Sequence, residues 1–374
     1  MSIRVLVVDD SLLARKVIKD ELSKDSQIEV VGVAGDPFDA SEKIEALNPD
    51  VMTLDLEMPK MDGLTFLRSL MKHHPMPVVV VSAYTTKGSR LALEALEAGA
   101  VDIVPKPGMS YNVQEMSAEL VGKVKAGAQA KVGRESKAEE RKPTMFKRAI
   151  SDIGVEGEAN RPRPAPARPA APTVEVLPPL TRDPDPEKVI VIGSSTGGTQ
   201  ALQYILMRLP ANMPPILIVQ HMPPGFTKAF ADRLNGVCPM EVKEAENNDA
   251  VERGRVLIAP GGFHMSLRKI GGRYKVELND GPRVQRQRPA VEVLFQSAAK
   301  FVGNKAVGVI LTGMGADGAD AMLEMKKAGA ENIAEDEESC VVFGMPKEAI
   351  KRGGVDHIMH LHKIPRFLHG MFNK

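Results

Sequence analysis

The stretch that decides the fold lies at residues 3–11 and reads IRVLVVDDS. Six residues, most of them apolar and β-branched, stop at two aspartates and a serine. A helical pattern of apolar side chains follows at Leu13, Val17, Ile18 and Leu22. An apolar strand that ends in polar residues and leads into an amphipathic helix is typical of a parallel sheet covered on both faces. We therefore expect an α/β fold.

The same strand-then-helix unit recurs along the first third of the chain. Further β-like apolar runs lie at residues 28–34, 51–56, 78–82 and 101–104, and an alanine- and leucine-rich helical stretch lies at residues 89–97. Short apolar strands that alternate with helices predict βαβ units. We predict that residues 1–122 form one doubly wound, flavodoxin-like domain with five such units.

The composition changes after this domain. Residues 123–160 are rich in Lys, Arg, Glu and Ala, and residues 161–186 contain nine prolines. Proline has no N–H donor and a fixed φ, so a tract of this kind favours an extended, semi-rigid spacer. We predict a charged and then proline-rich linker at residues 123–186.

A second α/β pattern follows at residues 187–374. Its strand candidates lie at residues 189–192, 216–220, 255–259 and 306–311, and each is followed by turn residues. In addition, two short runs flank Gly271-Gly272, as in an antiparallel hairpin. We predict a second doubly wound domain with a mostly parallel sheet and one antiparallel hairpin.

The bulk properties exclude several classes of protein. Of the 374 residues, 43% are hydrophobic and 26% are charged, with a formal net charge of +1. This balance does not favour a nucleic-acid partner, because phosphate backbones are bound mainly by excess Lys and Arg. No run approaches the roughly 20 apolar residues that span a bilayer, and the N-terminal residues do not resemble a signal peptide. With only Cys238 and Cys340, the sequence predicts a cytoplasmic protein that is not inserted in a membrane.

Polar residues follow successive strands of the first domain. Asp9 and Asp10 come after the first strand, Asp55 after the third, Ser82 ends the fourth and Lys106 follows the fifth. Ligands of a doubly wound sheet bind at the carboxyl ends of its strands, so these side chains should converge. Three clustered carboxylates predict a Mg²⁺ site, with Lys106 beside it. The alternative for the aspartate pair alone is a helix N-cap.

This combination resembles the receiver domain of two-component response regulators, over residues 1–122. The resemblance implies that Asp55 accepts a phosphoryl group. It implies a Mg²⁺ ion held by Asp10, Asp55 and the backbone carbonyl of Glu57, with Asp9 in a supporting position.

The resemblance also assigns the phosphoryl contacts. Ser82 and Lys106 match the hydroxyl and the lysine that contact the phosphoryl group. The segment MPKMDG at residues 58–63 fits the loop after the acceptor. One position departs from the family pattern: Ile103 stands three residues before the lysine, where many receivers have an aromatic switch residue.

The second domain begins with a glycine-rich loop that contains two serines. The sequence GSSTGG at residues 193–198 follows an apolar strand and leads into a helix. Such a turn can raise a serine above the sheet, and it can equally cradle a phosphate. His221 closes the next apolar strand, and Asp317 follows the strand VGVIL. Residues that follow the strands of a parallel sheet lie at the same edge of that sheet, so Ser195, His221 and Asp317 should meet there. Their side chains could then act as a nucleophile, its base and an orienting carboxylate.

The motifs GSSTGG, QHMPPGF, APGGFHM, LTGMGADG and FGMPKEA occur in this order. Together with the receiver-like domain, they resemble the CheB family of chemotaxis protein-glutamate methylesterases. The resemblance implies that Ser195 is the nucleophile, His221 the general base and Asp317 its orienting carboxylate, with the backbone N–H of Met314 in the oxyanion hole. The chain order Ser, His, Asp differs from that of α/β-hydrolases.

The function implied is hydrolysis of glutamyl methyl esters on chemoreceptors, with deamidation of particular glutamines. The receptors' cytoplasmic helices would be the substrate, the histidine kinase CheA would be the phosphodonor, and the ester chemistry would need no cofactor. Phosphorylation of Asp55 would relieve inhibition. Two alternatives stay open at this point: a non-catalytic regulator whose second domain binds a partner or nucleotide, and a related hydrolase that serves another receptor array.

Overall fold

The computed structural model describes residues 2–59, 61–83, 85–106, 113–132 and 174–373. The chain divides into two compact units, Met1–Thr173 and Val174–Lys374. Among the described residues, no helix combines the length and the apolar character that crossing a membrane requires.

The first unit alternates strands and helices. In chain order the described elements are β1 (Ile3–Val8), α1 (Leu12–Leu22), β2 (Ile28–Ala34), α2 (Pro37–Leu47), β3 (Val51–Asp55), α3 (Gly63–His73), β4 (Val78–Ser82), α4 (Thr86–Glu97), β5 (Asp102–Pro105) and α5 (Val113–Gln129).

The five strands form one sheet in the order β2-β1-β3-β4-β5, and all neighbours are parallel. The order reverses between β1 and β3, and this reversal opens a crevice at the carboxyl ends of the two strands. Asp9 directly follows β1, and Asp55 ends β3. The topology therefore places the predicted acidic residues where ligands of such sheets bind.

Polar N-caps start the first four helices. Ser11, rather than either aspartate, caps α1 and accepts a hydrogen bond from Ala14 N–H. Asp9 Oδ1 accepts a hydrogen bond from the backbone N–H of Ser11. The N-cap alternative for the aspartate pair is therefore not what the structure shows, since the cap is the third residue of the motif.

The first unit extends beyond the predicted boundary at residue 122, because α5 continues to Gln129. Val124 is fully buried in the core of this unit. The ammonium of Lys123 lies 3.0 Å from Asp102 Oδ1, and that of Lys125 lies 2.6 Å from Asp25 Oδ2. These contacts hold the start of the predicted linker on the sheet.

The second unit has a larger sheet. Its described elements are β6 (Val189–Ser194), α6 (Gly198–Leu206), β7 (Ile216–Gln220), α7 (Phe226–Asn235), β8 (Glu241–Glu244), β9 (Arg255–Ile258), β10 (His264–Ile270), β11 (Arg273–Asn279), α8 (Val291–Phe301), β12 (Ala306–Ile310), α9 (Ala319–Lys327), β13 (Glu331–Glu335), α10 (Met345–Lys351), β14 (His357–Met359) and α11 (Ile364–Phe372), with short 3₁₀ turns at Gly303–Lys305 and Leu361–Lys363.

Seven of these strands form a parallel sheet in the order β14-β13-β12-β6-β7-β9-β8. The first strand of the unit, β6, lies at the centre, with β12 on one side and β7 on the other. The strand order reverses at β6, so the residues that follow β6, β7 and β12 meet at one edge. The predicted fold class is confirmed for both units, including the antiparallel hairpin of β10 and β11.

The second unit begins earlier than the predicted boundary at residue 187. Leu180 is 6% exposed, and its backbone N–H and C=O are both hydrogen-bonded to the side chain of Asn212. The carbonyl of Pro178 accepts a hydrogen bond from His369 Nε2, at 2.8 Å. The end of the predicted linker is therefore part of this unit, and residues 133–173 of the predicted linker lie outside the described residues.

Candidate active site and acidic pocket

Neighbouring strands bring Ser195 and His221 together. Ser194 and Gln220 are register partners at the ends of β6 and β7. Adjacent strands lie about 4.8 Å apart, so the residues that come next lie side by side. The backbone N–H of His221 donates to the carbonyl of Ser194, at 3.0 Å.

The imidazole of His221 contacts the carboxylate of Asp317. His221 Nε2 lies 2.7 Å from Asp317 Oδ2, and both side chains are buried. A carboxylate accepts, so Nε2 carries the proton and Nδ1 is left with its lone pair. His221 Nδ1 is buried and has no hydrogen-bond partner in the described part of the chain. The ring therefore has a free basic nitrogen, and it is not hydrogen-bonded to the Ser195 hydroxyl in this structure.

A helix N-terminus holds the carboxylate of Asp317. The backbone N–H of Val291 donates to Oδ2 at 2.7 Å, and that of Glu292 donates to Oδ1 at 2.9 Å. These are the first two residues of α8, whose free N–H groups and dipole favour an anion. Both oxygens of Asp317 are thus fixed before it contacts His221. The sequence gives no signal for this contact, because the two segments are 25 residues apart.

The loop of the glycine-rich motif is tied to the end of β12. Ser195 N–H donates to the carbonyl of Thr312 at 3.0 Å, and Gly198 N–H donates to the carbonyl of Ser195 at 2.7 Å. A Cβ at Gly313 would lie 2.7 Å from Ser195 Cβ, so the two loops approach closely at this glycine. Two N–H groups that a phosphate cradle would use are therefore already satisfied, which disfavours that alternative.

The side chain of Gln220 connects the glycine-rich loop of Ser194 and Ser195 to His221. Its Oε1 accepts from the hydroxyl of Ser194 at 2.7 Å, and its Nε2 donates to the carbonyls of Ser195 at 2.9 Å and His221 at 3.3 Å. Gln220 is 3% exposed. One buried amide thus fixes the backbones of two predicted site residues, and sequence reasoning missed it.

Met314 lies two residues beyond Thr312, at the same edge of the sheet. Gly313, just before it, is held by hydrogen bonds from Gly344 N–H and Met345 N–H to its carbonyl. Met314 makes no hydrogen bond with any other described residue. Met314 also directly follows the glycine at which a Cβ would lie 2.7 Å from Ser195 Cβ, so it is next in the chain to the closest approach between the two loops.

Two buried carboxyl groups flank the site. The pKa of Glu292 is raised to about 7, chiefly by burial and also by the negative charge of Asp317, although hydrogen bonds from the backbone of Ala321 and Gly318 oppose the shift. Burial likewise raises the pKa of Glu335 to about 7. Glu335 Oε2 accepts from Thr312 N–H at 2.8 Å. Both groups touch backbone next to site residues, and neither was predicted.

The acidic pocket of the first unit is assembled as predicted. One carboxylate oxygen from each of Asp9, Asp10 and Asp55 lies within 4.8 Å of the others. The ammonium of Lys106 lies 2.9 Å from Asp9 Oδ2 and 2.7 Å from Asp55 Oδ2. One ammonium does not balance three carboxylates, and clustered carboxylate oxygens are the ligands that Mg²⁺ prefers. The donor set therefore fits a divalent cation.

The charges in the pocket shift one another's titration. Burial raises the pKa of Asp55, and the nearby Asp9 adds to the shift, although Lys106 opposes it. Burial disfavours the charged form of Lys106, but hydrogen bonds to Asp55 and Asp9 outweigh this effect and raise its pKa. Lys106 is therefore firmly cationic beside the predicted acceptor.

Three further residues that the sequence analysis singled out are Ser82, Glu57 and Ile103. The Ser82 hydroxyl is buried and donates to the carbonyl of Gly88 at 3.1 Å, so it is bound to the start of α4 in this state. The backbone N–H of Glu57 donates to Asp55 Oδ1 at 3.2 Å. Ile103 is 1% exposed on β5.

Two family models match the chain. The model described as CheB methylesterase matches residues 190–368, and the response regulator receiver domain matches residues 5–117. The chain is 52% identical over 362 residues to a Syntrophus aciditrophicus protein named protein-glutamate methylesterase/protein-glutamine glutaminase 2, with 97% of each chain covered. It is 50% identical over 366 residues to protein-glutamate methylesterase/protein-glutamine glutaminase 3 of Geobacter metallireducens, again with 97% of each chain covered.

Among solved structures, the chain resembles the Thermotoga maritima CheB methylesterase catalytic domain. The sequences are 46% identical, the match covers 49% of this chain and 98% of that one, and the TM-score is 0.48. The identity to curated relatives extends over both units and the region between them. On this basis the chain belongs to the CheB family, with a response regulator receiver domain ahead of a methylesterase domain.

Proposed function

We propose that Ser195, His221 and Asp317 are the catalytic triad of a protein-glutamate methylesterase and protein-glutamine glutaminase. The observation that carries this proposal is the buried His221–Asp317 pair, which leaves Nδ1 of the imidazole without a partner, on a strand end that neighbours the strand end of Ser195. The activity itself is that of the relatives named above.

The triad geometry supports acyl transfer. His221 Nδ1 takes the proton of the Ser195 hydroxyl as Oγ attacks the γ-carbonyl carbon of a glutamyl methyl ester. Asp317 stabilises the imidazolium that forms, and it needs no reorganisation because α8 already holds both of its oxygens. The backbone N–H of Met314 donates to the oxyanion of the tetrahedral intermediate.

The intermediate collapses with loss of methanol, which takes the proton from Nδ1. Water then attacks the acyl-enzyme with His221 again as the base, and this step releases glutamate and the free serine. Attack on the side-chain amide of glutamine follows the same route, with ammonia as the leaving group. Gln220 keeps the nucleophile and the base in register throughout.

The receiver domain supports regulation by phosphorylation. We propose that Asp55 accepts a phosphoryl group and that Asp10, Asp55 and the carbonyl of Glu57 hold Mg²⁺, with Asp9 supporting them. When bound, Mg²⁺ supplies positive charge for the phosphoryl oxygens. The contact of Lys106 with Asp55 supports a role for its ammonium in binding one phosphoryl oxygen, and the Ser82 hydroxyl would exchange its bond to Gly88 for a bond to another phosphoryl oxygen.

We propose that chemoreceptors are the substrates, through their cytoplasmic helices, and that the chemotaxis histidine kinase CheA is the phosphodonor in the cytoplasm. The names of the relatives and the receiver domain support this assignment. Phosphorylation of Asp55 then raises the esterase rate.

The test is methanol release from methylated chemoreceptor membranes, measured with the full-length protein, Mg²⁺ and a small phosphodonor. The wild-type protein should release methanol, and Ser195→Ala should lower the rate by about 10⁴ or more. Ser194→Ala is the matched control, since its hydroxyl is bound to Gln220, and it should retain far more activity. Full activity of Ser195→Ala would refute the site.

A further inference from the structure

A tight turn of unusual composition lies just before α8. Val284 and Gln287 are joined by two backbone hydrogen bonds, of 2.8 and 3.1 Å, around the central pair Gln285-Arg286. Three arginines occur in the six residues 283–288, which we call the arginine turn.

The backbone of the arginine turn is strained. Gln285 has φ 50° and Arg286 has φ 65°, in the left-handed region that favours glycine or asparagine. Large side chains at both central positions of a two-residue turn oppose stability. Strain of this kind persists where the surroundings hold it, and it occurs at functional sites.

The surroundings hold the arginine turn firmly. Arg288 Nη1 donates to the carbonyls of Asp280 at 2.6 Å and Gly281 at 2.9 Å, which closes the base of the turn. His264 is buried, and its Nε2 donates to the carbonyl of Pro282 at 2.9 Å. Its Nδ1 accepts from Ala290 N–H at 3.3 Å. One histidine thus ties the entrance of the turn to the N-cap of α8.

The chain and its backbone hydrogen bonds connect the arginine turn to segments next to the triad residues. Three residues after the turn, α8 begins at Val291 with the N–H groups that hold Asp317. On the other side, Gly262 N–H donates to the carbonyl of Arg288 at 3.1 Å. Gly261, which precedes Gly262, packs so closely on the backbone of Pro223 that a Cβ at Gly261 would not fit. Pro223 in turn follows His221 by two residues. The turn is therefore connected to both sides of the active site.

The tip of the arginine turn carries positive charge into solvent. Arg283, Gln285 and Arg286 are exposed, and Arg286 has neither an ion-pair nor a hydrogen-bond partner in the described part of the chain. The acidic residue closest in sequence is Asp280, which is exposed and lies before the turn. The turn thus presents a guanidinium that the protein does not use.

We propose that the arginine turn is a substrate-recognition element, in which Arg286, assisted by Arg283, binds carboxylates of an acidic polypeptide next to the glutamyl ester. The inference rests on the proposed function and specifies its substrate as acidic around the reacting residue. A guanidinium donates two parallel hydrogen bonds to a carboxylate, and a fixed backbone lowers the entropy cost of forming them.

The test compares two short peptides with the full-length protein, Mg²⁺ and a phosphodonor. Each peptide has one γ-methyl glutamyl residue, and only one of them has glutamates on both sides. The wild-type protein should hydrolyse the acidic peptide with a kcat/KM about tenfold higher than the neutral one. Arg286→Gln should abolish this preference by raising KM for the acidic peptide at unchanged kcat, because the contact is remote from the reacting atoms.

Three further variants separate recognition from folding. Arg273→Gln, at the far end of the β10–β11 hairpin about 20 Å along the strand, should leave the preference intact. Arg286→Lys keeps the charge without the planar fork and should restore part of the preference. Arg286→Gly should lose the preference but match or exceed the wild-type melting temperature, because glycine adopts this φ without strain.

The outcomes are distinguishable. Equal kcat/KM values of the wild-type protein for the two peptides, or an intact preference in Arg286→Gln, would overturn the recognition element but not the esterase. If the wild-type protein hydrolyses neither these peptides nor methylated receptors, the proposed function fails. A loss by Arg286→Gln that is equal on both peptides would show a structural role and also overturn the inference.

Discussion

The buried carboxyl group of Glu335 accepts a hydrogen bond from the backbone N–H of Thr312, whose carbonyl in turn accepts from Ser195 N–H. The group is fully buried, and burial raises its pKa from 4.5 to about 7. The folded protein therefore holds this proton more tightly than the unfolded chain does between these two pH values.

We predict that Glu335 makes stability depend on pH in a defined direction. Its contribution to the free energy of unfolding is complete below about pH 4.5 and is lost as the pH rises through 7. The loss amounts to at most about 3 kcal/mol. Urea unfolding of the wild-type protein and Glu335→Gln between pH 5 and 8 measures it. The glutamine variant should show a smaller decline, and parallel curves for the two proteins would contradict the prediction.

Asp317→Asn should lower kcat by about 10³ to 10⁴, with little change in KM. The amide cannot accept from His221 Nε2–H and from both N–H groups of α8 at once, so the ring loses its fixed tautomer. Asp320→Asn is the control, because Asp320 is exposed on α9 and pairs with Arg352. Methanol release under saturating substrate distinguishes the two variants, and equal kcat values would refute the orienting role.

Gln220→Leu should lower kcat by about 10² while the protein remains folded. The leucine fills the space but gives up the hydrogen bonds to the Ser195 and His221 carbonyls. Gln200→Leu on α6 is a comparable substitution outside this network. A kcat for Gln220→Leu within twofold of wild type, with a similar melting temperature, would show that the strands alone position the site.

Asp10→Asn should weaken Mg²⁺ binding to the receiver domain by tenfold or more, because it removes one of three clustered carboxylates. Isothermal titration calorimetry of the full-length protein measures the affinity. Asp20→Asn, an exposed substitution on α1, should bind Mg²⁺ as the wild type does. Unchanged affinity in Asp10→Asn would exclude this residue as a ligand.

A catalytic fragment that starts at residue 187 should be less stable than one that starts at residue 174, by about 3 kcal/mol or more. The shorter fragment loses the buried Leu180 and the hydrogen bond between Pro178 and His369. Urea denaturation of both fragments measures the difference. Coincident transitions would place the start of the folded unit nearer to β6.

Much of the fold was predictable because the central strands are continuous apolar runs. Because residues that follow parallel strands lie at the same edge of the sheet, the sequence alone predicted that Asp9 lies near Asp55 and that His221 lies near Asp317. Two edge strands were missed: β8 reads EVKE and β14 reads HIM. Edge strands are short and partly exposed, so they lack the apolar pattern of buried ones.

The finer features of the site depend on side-chain directions that spacing cannot give. The pattern predicted that His221 and Asp317 meet, but not that Nε2 contacts the carboxylate and leaves Nδ1 free. It predicted Ser82 at the acidic pocket, whereas its hydroxyl is bound to Gly88 in this structure. It gave no indication of Gln220, because a buried glutamine at a strand end has no characteristic spacing.

The order of strands in the second sheet has a consequence for synthesis of the protein. The proposed nucleophile Ser195 follows β6, but the neighbouring strand β12 and the helix whose N–H groups hold Asp317 are encoded about a hundred residues later. A nascent chain that has already exposed Ser195 and His221 therefore lacks Asp317 with the helix that holds it, the proposed oxyanion donor at Met314, and one of the two strands that flank β6. Esterase activity can begin only when this late part of the chain has left the ribosome and inserted beside β6.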